Sequence, residues 1–319
     1  MSVSSSENRP VFSFVVPAFN EEAYIEKTLR DIHAAFTPES RSEYEILLVD
    51  NGSTDRTPEI AESLGCTVLI EPTLGISELR NHGARRSRGD IIVFIDADVS
   101  LTPEWRRDVE PFIAPLRAGA RELVGSHYQP SRATPLPLIK WFEGSYQNPR
   151  STFLPGGHTI LARDAFEEIG GFDPAFSTSE DIDFCHRATA KGFDVRHCPE
   201  VGVVHMGDPR SVRQFLKREC WHGGSDFESI PRMLTSRTAW ATLFFVAMHV
   251  ALVLLLASGE LALALLPVAG IAALLLATST HLFPRSSIGL RLINAANAYL
   301  SYLGRCCSIR ALFVKSRRD

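Results

Sequence analysis

The chain has 319 residues, which is enough for one large domain or two of ordinary size. Its formal net charge is -4, so the composition gives no sign of the basic face by which proteins usually bind nucleic acid. The six cysteines include no CxxC pair and no Cys/His cluster with zinc spacing, so a zinc site is not indicated.

The first residues of the chain are polar. Residues 1–9 are rich in serine and contain no basic region followed by an apolar stretch. This pattern is not that of a signal peptide. We expect a flexible N-terminus over residues 1–10, followed by a region that stays in the cytosol.

Short apolar runs then alternate with helical stretches. Residues 11–16, 45–49 and 91–95 read as buried strands. A helix is predicted over residues 20–36, with Asn20 as its N-cap. This alternation predicts an α/β domain with a mainly parallel sheet. Polar residues follow the strands at their carboxyl ends, where open sheets of this kind bind ligands.

Beyond residue 121 the pattern is less regular. Gly156-Gly157 indicates a tight turn or a close approach of the backbone. Later helices are predicted over residues 136–146, 164–169, 179–191 and 212–227. We expect one domain over residues 11–230.

Two long apolar segments follow, at residues 238–258 and 261–282, separated by Gly259-Glu260. Each has about 20 residues, enough to cross about 30 Å of hydrocarbon. They predict a transmembrane hairpin over residues 238–282. The alternative, a pair of buried core helices, requires a polar face that neither segment has.

Basic residues flank the hairpin on both outer sides. Arg232 and Arg237 precede it, residues 283–319 contain seven Lys or Arg, and the turn contains none. The positive-inside rule therefore makes both flanks cytoplasmic. We expect a multi-pass protein of the inner (plasma) membrane, with its large domain in the cytoplasm and a basic cytoplasmic or interfacial tail over residues 283–319.

Asp96 and Asp98 directly follow the strand at residues 91–95. Two carboxylates so spaced can hold Mg²⁺ or Mn²⁺, and the ion can bridge phosphate oxygens. Such pairs also cap helices and close turns.

Asp50 also ends a strand, and Asn51-Gly52-Ser53 follows it. A carboxylate at this edge can accept a hydrogen bond from a nucleobase N–H. The alternative is an ordinary turn residue.

Glu180 and Asp181 begin the helix predicted at residues 179–191. A carboxylate there can take the proton of an attacking hydroxyl. The alternative is the negative charge that commonly begins a helix.

In this order, these segments resemble the family 2 glycosyltransferases, which have the GT-A fold. The similar stretches are residues 14–22 (FVVPAFNEE), 49–55 (VDNGSTD), 79–84 (LRNHGA) with Gly89-Asp90, the DAD of Asp96 and Asp98, and one acceptor-side segment that contains 170–173 (GGFD) and 179–181 (SED). Five such motifs in order are specific, and the resemblance covers residues 11–227.

The resemblance implies a donor site for a UDP- or GDP-sugar. Its residues would be Pro17, Glu22, Asp50, Arg80, Asp96 and Asp98. Asp50 would contact the base, and Arg80 would lie near the phosphates. Asp96 and Asp98, the latter more directly, would bind Mg²⁺ or Mn²⁺ with His205, for which a structural role is equally open.

The resemblance also implies an acceptor side. Asp181 would be the general base, and Glu180 would lie beside it and help to bind the acceptor. Gly156 and Gly157 would shape the acceptor pocket.

Two features depart from the family pattern. Asn51 stands where many members carry a second Asp. Residues 214–221 differ from the Gln-x-x-Arg-Trp motif of processive synthases, because Arg218 and Trp221 are not adjacent. One hairpin is also too little for a polymer channel. Asn51 bears on the identity of the base, whereas the altered motif and the single hairpin together predict transfer of a single sugar.

We therefore expect an inverting, metal-dependent glycosyltransferase (hexosyltransferase type) that acts on a lipid-linked or glycan acceptor at a membrane in polysaccharide or glycolipid synthesis. The alternatives are a processive polysaccharide synthase subunit, a non-catalytic scaffold and a retaining enzyme.

Overall fold

The computed structural model describes residues 9–146, 153–176, 178–284 and 286–313. The strands there are β1 (Phe12–Ala18), β2 (Tyr44–Asp50), β3 (Thr67–Ile70), β4 (Ile91–Ile95), β5 (Val99–Leu101), β6 (Glu122–Gly125), β7 (Tyr128–Pro130), β8 (His158–Ala162), β9 (Asp194–His197) and β10 (Val203–His205). The α-helices are α1 (Ile25–Ala34), α2 (Thr57–Ser63), α3 (Ile76–Arg86), α4 (Trp105–Arg117), α5 (Leu136–Tyr146), α6 (Arg163–Ile169), α7 (Glu180–Ala190), α8 (Val212–His222), α9 (Ile230–Thr235), α10 (Arg237–Ala257), α11 (Leu265–Leu282) and α12 (Ile288–Cys306).

The described residues pack as two compact units. The first contains those up to Ser131 and those from 153 to Gly207; the second contains those of 132–146 and those from Asp208 onward. Helices α5 and α8, expected within the first domain, therefore belong to the second unit, because both pack against α12. The predicted division at residue 230 stays a prediction.

The first unit is built on a sheet in the order β3-β2-β1-β4-β8-β6-β9. Strands β1 to β4 are parallel, β8 runs antiparallel to both β4 and β6, and β9 is parallel to β6. In a smaller sheet, β10 lies between β5 and β7. The predicted α/β class with a mainly parallel sheet is confirmed.

Strands β1 and β4 are buried along their whole length, as their near-continuous apolar sequences require. Phe12 and Phe14 of β1 contact Trp105 of α4, and Phe94 of β4 contacts Phe166 and Phe172. On α3, a Cβ at Gly83 would lie 2.4 Å from Val15 Cγ1. Because this glycine has no side chain, α3 lies close against β1, which holds the start of α3 at the carboxyl edge of the sheet.

Two predicted boundaries near residue 20 are wrong. Strand β1 continues through Pro17 to Ala18. Pro17 has no N–H to donate, but the pairing of β1 with β4 ends at Val15, so no bond to β4 is lost at Pro17. Helix α1 begins at Ile25, and Asn20 is not its N-cap. Instead Asn20 has φ of +57°, and its side-chain oxygen accepts a hydrogen bond from the Thr54 amide at 2.8 Å.

In the second unit, α10 and α11 are long and apolar enough to cross a membrane by length and composition. Only 17% of an apolar 18-residue stretch in each helix is buried, which argues against a pair of core helices. Helix α11 begins at Leu265 rather than at residue 261. Pro267 lies in the first turn of this helix, where a proline is tolerated because the amide there has no partner within the helix.

Candidate functional site

The carboxyl ends of β1, β2 and β4 meet at one edge of the parallel sheet. Asp50 is the last residue of β2, and Asp96 and Asp98 follow β4. The structure therefore brings these three predicted carboxylates to the same edge. Pro17, also predicted at the donor site, is buried in β1 opposite Val49.

Asp50 is 1% exposed and turned toward its own loop. Its Oδ2 accepts a hydrogen bond from the Ser53 amide at 2.8 Å, and its Oδ1 accepts one from the Ser53 hydroxyl. Both contacts are those of a turn residue, the alternative considered for Asp50. The predicted contact with a nucleobase stays a prediction.

The loop after β1 is tied to the loop after β2. The Asn20 amide donates to Ser53 Oγ at 2.8 Å, and the Glu21 amide donates to Thr57 Oγ1 at 2.7 Å. Glu22 is exposed, and its Oε2 accepts from the Arg56 amide at 3.2 Å. Glu22, predicted in the donor site, therefore stabilises this pair of loops.

Arg80 lies between two carboxylates at the centre of the edge. One terminal nitrogen donates to Asp96 Oδ1 at 2.8 Å and the other to Glu180 Oε1 at 2.5 Å. The guanidinium is 5.4 Å from the Phe172 ring centroid. Burial alone would lower the pKa of Arg80, but Asp96 and Glu180 raise it above its usual value. Arg80 is thus a permanent cation that joins the predicted donor and acceptor sides.

Gly156 and Gly157 leave room for these charged groups. A Cβ at Gly156 would lie 2.7 Å from Arg80 Cζ, and one at Gly157 would lie 2.1 Å from Asp96 Oδ2. Neither position can carry a side chain without moving the guanidinium or the carboxylate. The glycines predicted to shape the acceptor pocket therefore lie against the Arg80–Asp96 pair.

Tyr128 of β7 is a site residue that the sequence reasoning missed. Its hydroxyl donates to Asp96 Oδ2 at 3.2 Å, and its ring lies 5.0 Å from the His205 ring. Burial, and next the charge of Asp96, raise the pKa of Tyr128 well above its usual value, so the phenol keeps its proton. A single tyrosine in a short strand gives no signal by which the sequence could have revealed it.

Asp98 faces His205, the histidine proposed to share a metal ion with it, and that shared metal binding stays a prediction. The two side chains approach to 3.4 Å between Oδ2 and Nε2. The small sheet produces this contact, because β10 pairs with β5 so that His205 lies opposite Val99, next to Asp98. The Met206 amide also donates to the Asp98 carbonyl at 2.8 Å. A Cβ at Gly207 would lie 1.9 Å from Asp98 Oδ2, so only glycine fits beside this carboxylate.

Glu21, also missed, lies near the same carboxylates. Burial, and next the negative charges of Asp98 and Asp96, raise the pKa of Glu21 to about 8. The part of this increase that comes from Asp98 and Asp96 shows that negative charge is concentrated here. Such a concentration of negative charge attracts a cation.

Across the described residues, no three or more His, Cys, Asp or Glu side chains are grouped as a complete metal site. Asp96 is engaged by Arg80 and Tyr128, whereas Asp98 and His205 face each other. Mg²⁺ is commonly held by only one or two carboxylates, with substrate phosphates and water as the other ligands. An incomplete protein set of Asp98 and His205 therefore fits a divalent ion that binds together with a diphosphate.

Glu180 and Asp181 begin α7, as predicted. Asp181 Oδ2 accepts from the Gly156 amide at 3.2 Å, and Asp181 Oδ1 accepts from the Ile182 amide at 2.8 Å. Burial, and next the charge of Glu180, raise the pKa of Asp181 to about 7, although Arg80 opposes this. Ser179, which precedes them, has φ of +64°, an uncommon conformation outside glycine that recurs at functional sites.

Two family models match the chain. The model described as glycosyl transferase family 2 matches residues 13–170, and that described as glycosyl transferase family group 2 matches residues 139–283. Together they extend over every site residue described above.

Three proteins illustrate what this chain is similar to in sequence. Glycosyltransferase AglE of Haloferax volcanii is 27% identical over 66% of this chain and 71% of its own. The beta-monoglucosyldiacylglycerol synthase of a Nostoc species is 25% identical over 85% of this chain, and the match covers 59% of that protein. The undecaprenyl-phosphate 4-deoxy-4-formamido-L-arabinose transferase of Pseudomonas paraeruginosa is 38% identical over 29% of each chain. The chain thus spans less than two thirds of the last two proteins.

Among solved structures, the mannosyltransferase PcManGT of Pyrobaculum calidifontis, in complex with GDP-Man and Mn²⁺, has the same fold. Its TM-score is 0.53 at 19% identity, over 98% of this chain and 88% of that one. The predicted GT-A fold is therefore confirmed, and the chain belongs to glycosyl transferase family 2.

Proposed function

We propose that the protein is an inverting glycosyltransferase that moves one sugar from a nucleoside-diphosphate sugar to a lipid-linked acceptor. The observation that carries the proposal is the position of Arg80. It bridges Asp96, on the predicted donor side, to Glu180, which adjoins the predicted base Asp181. A donor and an acceptor bound on these two sides would have their reacting atoms next to each other.

On the donor side, Asp98 and His205 would hold Mg²⁺ or Mn²⁺. When bound, such an ion neutralises negative charge that develops on a departing diphosphate. The side chain of Asp96 is held by Arg80 and Tyr128, so it orients the donor without having to move. The absence of side chains at Gly157 and Gly207 keeps room beside both carboxylates. The donor nucleotide is a UDP- or GDP-sugar, with Asp50 near its base.

On the acceptor side, Asp181 acts as the general base. Its oxygen takes the proton of the acceptor hydroxyl as that hydroxyl attacks the anomeric carbon, and the nucleoside diphosphate leaves from the opposite face. A base is most effective when its pKa lies near the working pH, and burial and Glu180 raise the pKa of Asp181 to about 7. Gly156 positions Asp181 through its amide.

A lipid-linked acceptor at the cytoplasmic face of a membrane is the second part of the proposal. It is supported by helices α10 and α11, which are mostly exposed and apolar, and by the basic residues on their outer flanks. The names of two relatives also refer to lipid substances, undecaprenyl phosphate and diacylglycerol. Attachment of the protein to the membrane would raise the effective concentration of such an acceptor.

A thermal-shift screen of nucleoside diphosphates on the detergent-solubilised chain tests the donor site. We expect stabilisation by UDP or GDP that increases with Mn²⁺, and a smaller increase in Asp98→Asn. Asp164→Asn, a change in an exposed carboxylate of α6 outside this cluster, is the control. Folded protein that responds to no nucleotide would point instead to a non-catalytic scaffold.

Transfer of a radiolabelled sugar to a polyprenyl phosphate in nanodiscs tests the reaction. We expect one sugar per acceptor and inversion at the anomeric carbon. A ladder of longer products would indicate a processive synthase, and retention of configuration would exclude Asp181 as the base of a direct displacement.

A further inference from the structure

Helix α12 is inverted with respect to a helix of a water-soluble protein. Its buried side carries Asn294, Asn297 and Ser301, which are 0%, 4% and 6% exposed. Its outer side carries Ile288 and Leu292, which are 80% and 60% exposed. Surface helices of soluble proteins show the opposite distribution, with the apolar stripe toward the core.

The polar side of α12 is used by the protein itself. Ser301 Oγ donates to Glu219 of α8 at 2.6 Å, and Asn297 Nδ2 donates to the Pro137 carbonyl at 2.8 Å. Tyr302 is hydrogen-bonded to Thr278 of α11 at 2.7 Å. These bonds join α12 to three neighbouring helices, so the helix cannot rotate to hide its apolar side without breaking them.

Close packing fixes the same orientation. A Cβ at Gly304 would lie 2.8 Å from both the Leu216 carbonyl oxygen and Glu219 Cβ of α8. On the same buried side, Arg305 forms ion pairs with Glu219 and Asp226 at 3.2 and 2.8 Å. The outer side therefore exposes apolar residues because the inner side is occupied by specific contacts.

This outer side belongs to a larger apolar surface. Helix α12 packs against α10 and α11, which expose Val253 and Leu266 among other apolar residues. An apolar surface of this extent indicates an interaction site. Helix α12 itself is less apolar than these two candidate spans.

We propose that the outer side of α12 lies in the boundary between headgroups and hydrocarbon of an anionic bilayer. The charge distribution supports this occupant. Exposed Arg310 and Phe313 follow the helix, and Lys315, Arg317 and Arg318 come next in the sequence. Basic and aromatic residues beside an apolar helix face are the pattern of an interfacial helix. The inference rests on the proposed membrane attachment through α10 and α11.

Photo-crosslinking in liposomes of phosphatidylcholine and phosphatidylglycerol tests the proposal. p-Benzoylphenylalanine replaces Leu292 or Leu303 on α12, or Val253 on α10, in separate variants. The control variant carries it at Ile70 on β3, an exposed position of the first unit. We expect lipid adducts at Leu292, Leu303 and Val253 with yields at least fivefold above that at Ile70.

The other outcomes separate the two claims. If Val253 forms lipid adducts but Leu292 and Leu303 give no higher yield than the control Ile70, the hairpin lies in the membrane and the proposal for α12 is overturned. Crosslinked dimers at Leu292 would show that a second copy covers this side, which also overturns it. Background yields at all positions would reject the membrane attachment itself.

Discussion

Arg80 and Asp96 form a partly buried ion pair of 2.8 Å, in which Arg80 is only 3% exposed and Asp96 is half-buried. The same guanidinium pairs with Glu180. Each carboxylate is thus held by a charge that also holds the other, so a change on one side of the site is transmitted to the opposite side.

Arg80→Lys keeps the positive charge but replaces the planar fork, which presents several donors in fixed positions, with one ammonium group. We expect the ammonium to hold only one carboxylate at full strength, and turnover to fall by about 100-fold, as misplacement of reacting groups typically causes. Arg121→Lys, in an exposed pair with Glu168, is the control and should leave turnover unchanged. Steady-state kinetics measure the turnover. If the Arg80→Lys variant is folded and turns over at the wild-type rate, Arg80 does not act as a bridge between the two carboxylates.

Gly157→Ala introduces a Cβ that would overlap Asp96 Oδ2 and the Tyr128 hydroxyl, at 2.1 and 2.3 Å. Because the carboxylate must move, we expect about 100-fold slower turnover with little loss of secondary structure. Gly289→Ala, whose Cβ would meet no atom within 4 Å, controls for the added methyl. Circular dichroism measures the secondary structure and initial rates measure turnover. Equal rates in both variants would show that the close approach of Gly157 to Asp96 is not needed for turnover.

Tyr128→Phe removes the hydroxyl that donates to Asp96 and keeps the ring beside His205. A hydrogen bond to a charged group contributes about 1.5–3 kcal/mol, so we expect binding of the nucleoside diphosphate with Mn²⁺ to weaken roughly 10- to 100-fold. Tyr44→Phe, which removes a hydroxyl bonded to His33 at the opposite end of β2, is the matched control. Calorimetric titration of both variants decides, and similar dissociation constants would assign Tyr128 to packing alone.

Much of the sheet could be predicted from sequence, because its central strands are buried on both faces and read as continuous apolar runs. Strand β4 was predicted at its observed bounds, as was helix α5. The motifs likewise predicted which carboxylates meet, since parallel strands deliver their ends to one edge.

The contacts among these residues could not be predicted. The position of Tyr128 depends on β7, and that of His205 on β10, two three-residue strands paired across a long sequence separation. The conformation of Asn20 depends on the loop after β2, which supplies its partner Thr54. The orientation of α12 could not be predicted from its own sequence either, because Asn297 and Ser301 find their partners on α5 and α8, elsewhere in the chain.

Asp181→Asn should raise stability while it removes activity. The pKa of Asp181 is raised to about 7 in the folded protein from its usual value of 3.8, so the folded protein binds the proton more tightly than the unfolded chain does. Wild-type stability therefore decreases as the pH rises from about 4 to about 7 and is then constant. Asparagine has no such titration, so differential scanning fluorimetry should show a higher Tm for the variant at pH 8 than for wild type, and a smaller difference at pH 4. A Tm difference between variant and wild type that is the same at pH 4 and at pH 8 would contradict the raised pKa.

The pH dependence of turnover tests Asp181 as the base. A base works only when deprotonated, so wild-type turnover should rise with pH and level off above about 7, where the Asp181 carboxyl has lost its proton. Glu180→Gln removes a negative charge that raises the pKa of Asp181 and also frees Arg80, which lowers it. Both effects have the same sign, so the acid limb of the profile should move to lower pH even if the maximum rate falls. Glu168→Gln, on the surface of the same unit, should leave the limb where it is. A limb that stays in place in Glu180→Gln, or that persists in Asp181→Asn with its rate reduced by less than about 100-fold, would mean that a different group accepts the proton.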